Sequence, residues 1–311
     1  MLKCIAIPQG LNGGRFARFW EIFFKELGFS VLLAPDCDSK MIKTACRLSD
    51  PELCLPAKLY IAECNLLSGS NADAIFSPFY ESADRNIKLC PKMIAINDLA
   101  RLSVPDMPEL LQPVIELDID EEMFSPGSIV RSNGILPLLS APVQKPLEAY
   151  YRAVRLSQKE WAERAKSAAK GKTIALMGHS YVLRNNHLLA AIFRTMERNQ
   201  TGWLTPDSLE WSACARCYEQ ASIQQPVQWQ SGRKILGALR YLLDRSVPDG
   251  VIYIAAFGCA LDAVIEEIAR EFVQGANIPY LFLMLDEHIQ PSHLLVRLEA
   301  FLDICTGINR N

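Results

Sequence analysis

The sequence predicts an α/β protein built on parallel sheets and divided into about two domains. Three observations carry that expectation. Val251 to Phe257 is a continuous apolar run rich in β-branched and aromatic residues, the pattern of a strand buried on both faces. It leads into an amphipathic helix, with Ala263, Val264, Ile268 and Phe272 on one face and Glu266, Glu267, Arg270 and Glu271 mostly elsewhere. Near the start, strand Lys3–Ile7, helix Phe16–Leu27 and strand Phe29–Leu33 form a β-α-β unit, which demands parallel pairing.

Composition sets the bounds. The chain has 311 residues, half of them apolar, enough for large cores and unlike a disordered chain. A net charge of −3 with scattered Lys and Arg gives no electrostatic footprint for nucleic acid or an anionic membrane. No secretory leader is visible at Met1–Ile7 and no apolar run reaches the roughly 20 residues of a membrane span. The expected location is cytoplasmic. Ten cysteines, at 4, 37, 46, 54, 64, 90, 214, 217, 259 and 305, are then read as buried hydrophobes, metal ligands or redox groups, not structural disulfides.

In order, Gly10, Gly13 and Gly14 make a strand-to-helix turn that lacks both the dinucleotide spacing and the Lys-Ser/Thr of a P-loop. Ser39 is read as capping a helix over Met41–Leu48. Pro56 suits the first turn of a helix running to Leu67. Ala74–Phe79 reads as a strand, Lys92 to about Leu102 as a helix, and Gln112–Leu117 as an edge strand. Prolines 105, 108, 113, 126, 137, 142 and 146 mark a change of texture. The domains are drawn as 1–118, a connection with a bridging helix over 119–170, and 171–311. In the last of these, strands are expected at Thr173–Met177, Val251–Phe257 and Pro279–Leu285. Helices are expected at Asn185–Arg198, Pro206–Tyr218, Gln230–Leu243 and Leu294–Cys305.

Cys54, Cys90 and Cys259 share one local design. Each stands at a loop-to-helix junction beyond a strand, and the first two precede a proline. A helix N-terminus offers free N–H groups and a positive partial charge, both favourable to a thiolate. The residues leave two readings open: small hydrophobes at tight turns, or a shared metal centre. His179 and Asp286-Glu287-His288 lie past strand ends at the same ligand-binding edge. Cys214-Ala-Arg-Cys217 falls inside a helical pattern and reads as core or surface cysteine, with Cys214, Cys217 and Cys64 kept as rival ligands.

LSDPELCLPAKLY (48–60), KLCPKMIAINDL (88–99) and IYIAAFGCALD (252–262) resemble the 2-hydroxyacyl-CoA dehydratase D-component family. They are closest to its branch related to the acyl-CoA dehydratase activase, or CoA-protein activase. IALMGHSYVL (174–183), SGRKILGALRYL (231–242), IPYLFLMLDEH (278–288) and RLEAFLDI (297–304) agree in order. The resemblance implies two Rossmann-like domains with an interdomain cleft. It implies a 4Fe-4S iron–sulfur cluster ligated by Cys54, Cys90 and Cys259, with the fourth iron site left for another ligand. It further implies an ATP-dependent iron–sulfur activase as electron donor and an acyl-CoA as substrate, within a homodimer or heterodimer. The absence of a nucleotide motif here agrees with ATP binding on that partner. Three departures stand out: Ile289-Gln290-Pro291-Ser292 replaces the small polar loop usual after Asp-Glu-His, Ser180 replaces a proline, and Gln9 follows Pro8 where arginine is usual. Three functions therefore stay open: a component acting in reductive or radical acyl-CoA chemistry, a non-catalytic electron-transfer or accessory protein, and a metal-free or zinc-binding α/β protein that kept the fold. Arg233, Lys234 and Arg297 are the candidate phosphate anchors for CoA.

Overall fold

The computed structural model describes residues 2–11, 15–82, 87–118, 123–124, 126–131, 144–164, 166–167, 171–224, 226–288 and 291–307. Gly13, Gly14, much of the expected 119–170 connection, and Ile289-Gln290 lie outside the described residues. The chain divides into two compact units, Met1–Trp161 and Ala162–Asn311.

The first unit runs β1 (Cys4–Ile7), α1 (Arg15–Glu26), β2 (Ser30–Leu33), α2 (Ser39–Leu48), α3 (Leu55–Ser68), β3 (Ala74–Phe76), β4 (Phe79–Ser82), α4 (Pro91–Ser103), β5 (Glu109–Leu111), β6 (Val114–Asp118), β7 (Met123–Phe124), α5 (Pro126–Arg131) and α6 (Gln144–Arg164). Its main sheet has the order β2-β1-β3-β5, every pair parallel. The predicted β-α-β unit forms because α1 buries Phe19, Trp20, Phe23 and Phe24 against Ile5, Ile7 and Phe76. Trp20 donates its indole N–H to the Tyr80 hydroxyl at 2.9 Å, so the largest apolar side chain keeps its polar atom satisfied. Ala149, Tyr150 and Ala153 bring α6 into this same core.

Two expectations needed revision, both for local reasons. Asp38, not Ser39, is the N-cap of α2, its carboxylate accepting from the Met41 N–H at 2.7 Å. The run read as one strand at 74–79 is cut by Pro78, and the edge strand read at 112–117 begins only after Pro113 and lies between β4 and β7, not at an edge. Proline cannot donate to a ladder. The chain steps there from the main sheet to a second sheet, β4-β6-β7, in which β4 and β6 pair in parallel and β7 is antiparallel.

The second unit contains β8 (Lys166–Ser167), β9 (Thr173–Gly178), α7 (Ser180–Leu183), α8 (Asn186–Arg198), β10 (Gly202–Leu204), a 3-10 turn at Pro206–Ser208, α9 (Trp211–Gln220), α10 (Gln230–Leu243), β11 (Gly250–Ala256), α11 (Ala260–Ala276), β12 (Tyr280–Leu285) and α12 (Pro291–Gly307). The sheet order is β12-β11-β9-β10-β8, parallel except for the short edge strand β8. Every residue of β11 is buried, as the continuous apolar run predicts. β10 was not read from the sequence: three residues carry too little periodicity to announce a strand. Each unit is thus an α/β fold on a mainly parallel sheet, consistent with the Rossmann-like expectation. Among the described residues, no helix is long and apolar enough to cross a membrane.

Strands β9 and β11 are neighbours, yet their following helices lead to opposite sides of the sheet, α8 toward β10 and α11 toward β12. Loops that part in this way open a crevice at the carboxyl edge, where ligands of open α/β sheets bind. β1 and β3 stand in the same relation in the first unit.

Candidate metal centre

A helix that returns to feed a parallel strand begins at the carboxyl edge of the sheet. Cys54 is the N-cap of α3, Cys90 of α4 and Cys259 of α11. Pro56 and Pro91 sit in the first turns of α3 and α4, where a missing N–H costs nothing. Cys54 is buried, whereas Cys90 and Cys259 are half-buried. Cys54 and Cys90 lie in the first unit and Cys259 in the second.

Burial pushes the Cys54 thiol up; the Ala57 N–H and the Lys92 ammonium pull the other way, and the nearby Cys90 sulfur adds to the rise. The Cys90 sulfur thus acts on Cys54 through its charge. Lys92 also donates to the Glu52 carbonyl at 3.2 Å, which keeps a cation beside the pair. Two sulfurs, a helix-end amide and an ammonium fit an anionic thiolate centre. Cys64, weighed as a rival, is fully buried and its thiol is pushed well up by burial and by Glu63. Cys214 is buried within α9 and Cys217 half-buried on it.

α3 is buried almost all round and carries Lys58 and Glu63 inside. The Glu63 carboxylate accepts from the Gln9 and Gly10 N–H groups at 2.7 and 2.8 Å, tying down the loop after β1. Tyr60 and Ser77 both donate to Asn97 Oδ1, at 3.0 and 2.6 Å, and the Asn97 amide donates to the Ser77 carbonyl at 3.0 Å. Sequence reasoning missed these groups because they come from separate segments, and their meeting is set by the packing of α3 against α4 and the chain after β3.

Glu63 yields a pH prediction. Burial pushes its carboxyl up to about 7, against the pull of the two amides. The folded value lies above the unfolded one, so the folded state holds this proton more tightly. The stability it brings is complete below about pH 4.3 and is lost as pH rises through about 7. Glu63→Gln is expected to flatten the urea-unfolding free energy between pH 5 and 8, relative to wild type, by about 3 kcal/mol. Parallel pH profiles for the two proteins would refute it.

In the second unit, the carboxyl edge gathers His179 after β9 and Cys259 and Asp262 after β11. The ligand atoms of these three side chains all lie within 4.8 Å of one another. Asp262 is buried: its Oδ1 accepts from the Tyr253 hydroxyl at 2.8 Å and its Oδ2 from the Ala256 N–H at 3.2 Å. His179 is 2% exposed, and its Nε2 stands 3.4 Å from Asp262 Oδ1. Burial lowers the imidazole's affinity for a second proton and Asp262 only partly restores it; an unprotonated ring has a lone pair to offer. The Tyr181 ring stacks on His179 at 4.8 Å, and its hydroxyl lies 3.9 Å from Cys259 Sγ. The sequence pointed to His179 and Cys259 but not to their meeting. Asp262 was visible only as the last letter of the FGCALD segment.

The other candidates are placed elsewhere. His288 is exposed, its N–H bonded to Asp286 Oδ1 at 2.8 Å. Lys234 is committed to buried Asp207 at 2.6 Å. Arg233 donates to the Val227 carbonyl at 2.8 Å, and Arg297 to the Phe282 carbonyl at 2.7 Å. Each of the three thus already holds a hydrogen bond within the chain.

Fold and edge geometry define the class: a two-unit α/β protein with cysteines at helix N-termini on the ligand-binding edge. Residues 4–209 match the family described as the CoA enzyme activase uncharacterised domain. That is most of the chain, and the protein belongs to this family. The match includes Cys54, Cys90, His179 and Asp207 and stops short of Cys259. No curated protein matches. Among solved structures, a periplasmic binding protein/LacI transcriptional regulator from Alkaliphilus metalliredigens, complexed with D-xylulofuranose, is 11% identical. It covers 91% of this chain and 96% of its own, with a TM-score of 0.20, too low to carry an argument.

Proposed function

We propose that this protein is an iron–sulfur component of a CoA-enzyme activase system, related to the 2-hydroxyacyl-CoA dehydratase D-component. In this reading Cys54, Cys90 and Cys259 ligate a 4Fe-4S cluster, and an ATP-dependent activase supplies low-potential electrons for reductive acyl-CoA chemistry. The reading is supported by one observation above the rest: three cysteines, far apart in sequence, each occupy the N-cap of a helix at a sheet's carboxyl edge. A 4Fe-4S cluster supplies one-electron chemistry at low potential. The chain's own part is to hold the thiolates, to set helix N-termini and Lys92 against their negative charge, and to bury Cys54 away from water.

Anaerobic purification tests it. Brown protein with about four irons per chain is expected. Cys54→Ala, Cys90→Ala and Cys259→Ala should each lose most of the iron. Adding activase and ATP should bleach the visible absorption of the intact protein. Colourless, iron-free protein from anaerobic cells would sink the reading. Turnover of an acyl-CoA panel in the same mixture separates a catalytic component from an electron carrier.

A further inference from the structure

We propose that the second unit carries a metal site of its own, in which His179, Cys259 and Asp262 hold a single divalent cation of the zinc or cobalt(II) class. The site needs neither Cys54 nor Cys90, so the proposal does not rest on the iron–sulfur reading. It shares Cys259 with that reading, so the two sites compete for this thiolate.

The first observation is the donor set. Imidazole, thiolate and carboxylate suit borderline-soft divalent ions, and three protein donors leave a fourth position open, as in catalytic zinc sites. The second is spacing. His179 Nε2 and Asp262 Oδ1 are 3.4 Å apart, too long for a good hydrogen bond. A tetrahedron with metal–ligand bonds of about 2.1 Å has edges of about 3.4 Å. The Cys259 sulfur completes a face within 4.8 Å.

The third observation points to a ligand independently. Both ring nitrogens of His179 are buried without a hydrogen-bond partner. Buried polar atoms are nearly always bonded, and an exception calls for an explanation such as an absent ion. Here one ring nitrogen already faces the two other donors. The surroundings are those of a prepared site: Tyr253 and the Ala256 amide orient the Asp262 carboxylate, and the Tyr181 ring covers His179. Hydrogen bonds that orient ligating carboxylates in this way are worth about 10- to 100-fold in metal affinity.

The test is a cobalt(II) titration of the full chain, stripped with chelator under anaerobic conditions. One equivalent should bind, with tetrahedral d–d bands and a thiolate-to-cobalt charge-transfer band. The same spectrum should appear in the Cys54→Ser/Cys90→Ser chain, which removes the other proposed cluster ligands. Iron loss in that variant thus reports on the cluster reading, and cobalt binding on this one. His179→Gln should weaken binding at least tenfold. Because a core histidine can be needed for folding, Cys259→Ser is the second arm. Serine is a good N-cap, so the fold should hold by circular dichroism while the charge-transfer band vanishes. No stoichiometric cobalt binding in the double variant, or a spectrum unchanged by Cys259→Ser, would overturn the proposal.

Discussion

Replacing Lys234 by methionine is expected to destabilise the second unit by about 3–5 kcal/mol. Methionine keeps most of the volume, so the effect isolates the charge. The partner left behind is Asp207, whose side chain is only 2% exposed. It accepts from Lys234 Nζ at 2.6 Å and from Ser180 Oγ at 2.9 Å, with Arg184 Nε at 3.4 Å. Burial alone would raise the Asp207 carboxyl; Lys234 and Arg184 outweigh it and hold the group below the usual carboxylate range. With the folded value depressed, Asp207 contributes stability above its unfolded value of about 3.9, lost as pH falls through the folded value. Without Lys234 that contribution shrinks, so the deficit of the variant should be larger at pH 7 than at pH 4. Urea unfolding at both pH values measures it. Pairing Lys234→Met with Asp207→Leu should recover part of the loss, because removing both members of a buried ion pair costs less than removing one. A loss under 1 kcal/mol at pH 7 would mean that Asp207 is not the buried, paired charge described above.

Gly178→Ala is the second large effect, about 2–5 kcal/mol. Gly178 ends β9 directly before His179, with φ of +147°, a conformation that side-chain-bearing residues rarely adopt. A Cβ there would lie 2.4 Å from the Ile254 carbonyl oxygen of β11. That oxygen belongs to backbone paired in register with Gly178, so neither partner can move without parting two central strands. The melting temperature of the second unit should fall by roughly 4–20 °C. The cobalt-binding trio should loosen too, since β9 and β11 each deliver part of it. A melting temperature within 1 °C of wild type would show that the backbone relaxes at no cost.

Much of the fold was legible in the chain. The uninterrupted apolar run at 251–257 read as a strand covered on both faces; Val251–Ala256 lies in the fully buried β11, whereas Phe257 falls in the turn after it and is exposed. The aromatic stripe of α1 defined the first core. Prolines 78 and 113 were legible too, but their meaning was not. Both sit inside apolar stretches, and only strand pairing shows that they pass the chain from one sheet to another. The cysteines at helix N-caps were readable because a strand end, a turn and an apolar helical face are local patterns. His179 was singled out only for its position after a strand.

What the sequence by itself determined is therefore local and periodic: parallel α/β units, and Cys54, Cys90 and Cys259 at the mouths of helices. Those follow from alternation, apolar runs and helix-end chemistry, which act over a few residues. The tertiary structure decided which polar groups are buried together. Asp207 meets Lys234 across 27 positions, Glu63 meets the Gly10 loop across 53, and His179 faces Cys259 and Asp262 because β9 and β11 are neighbours at a switch in strand order. Such pairings depend on strand order and helix packing, and no periodicity within one segment encodes its partner in another.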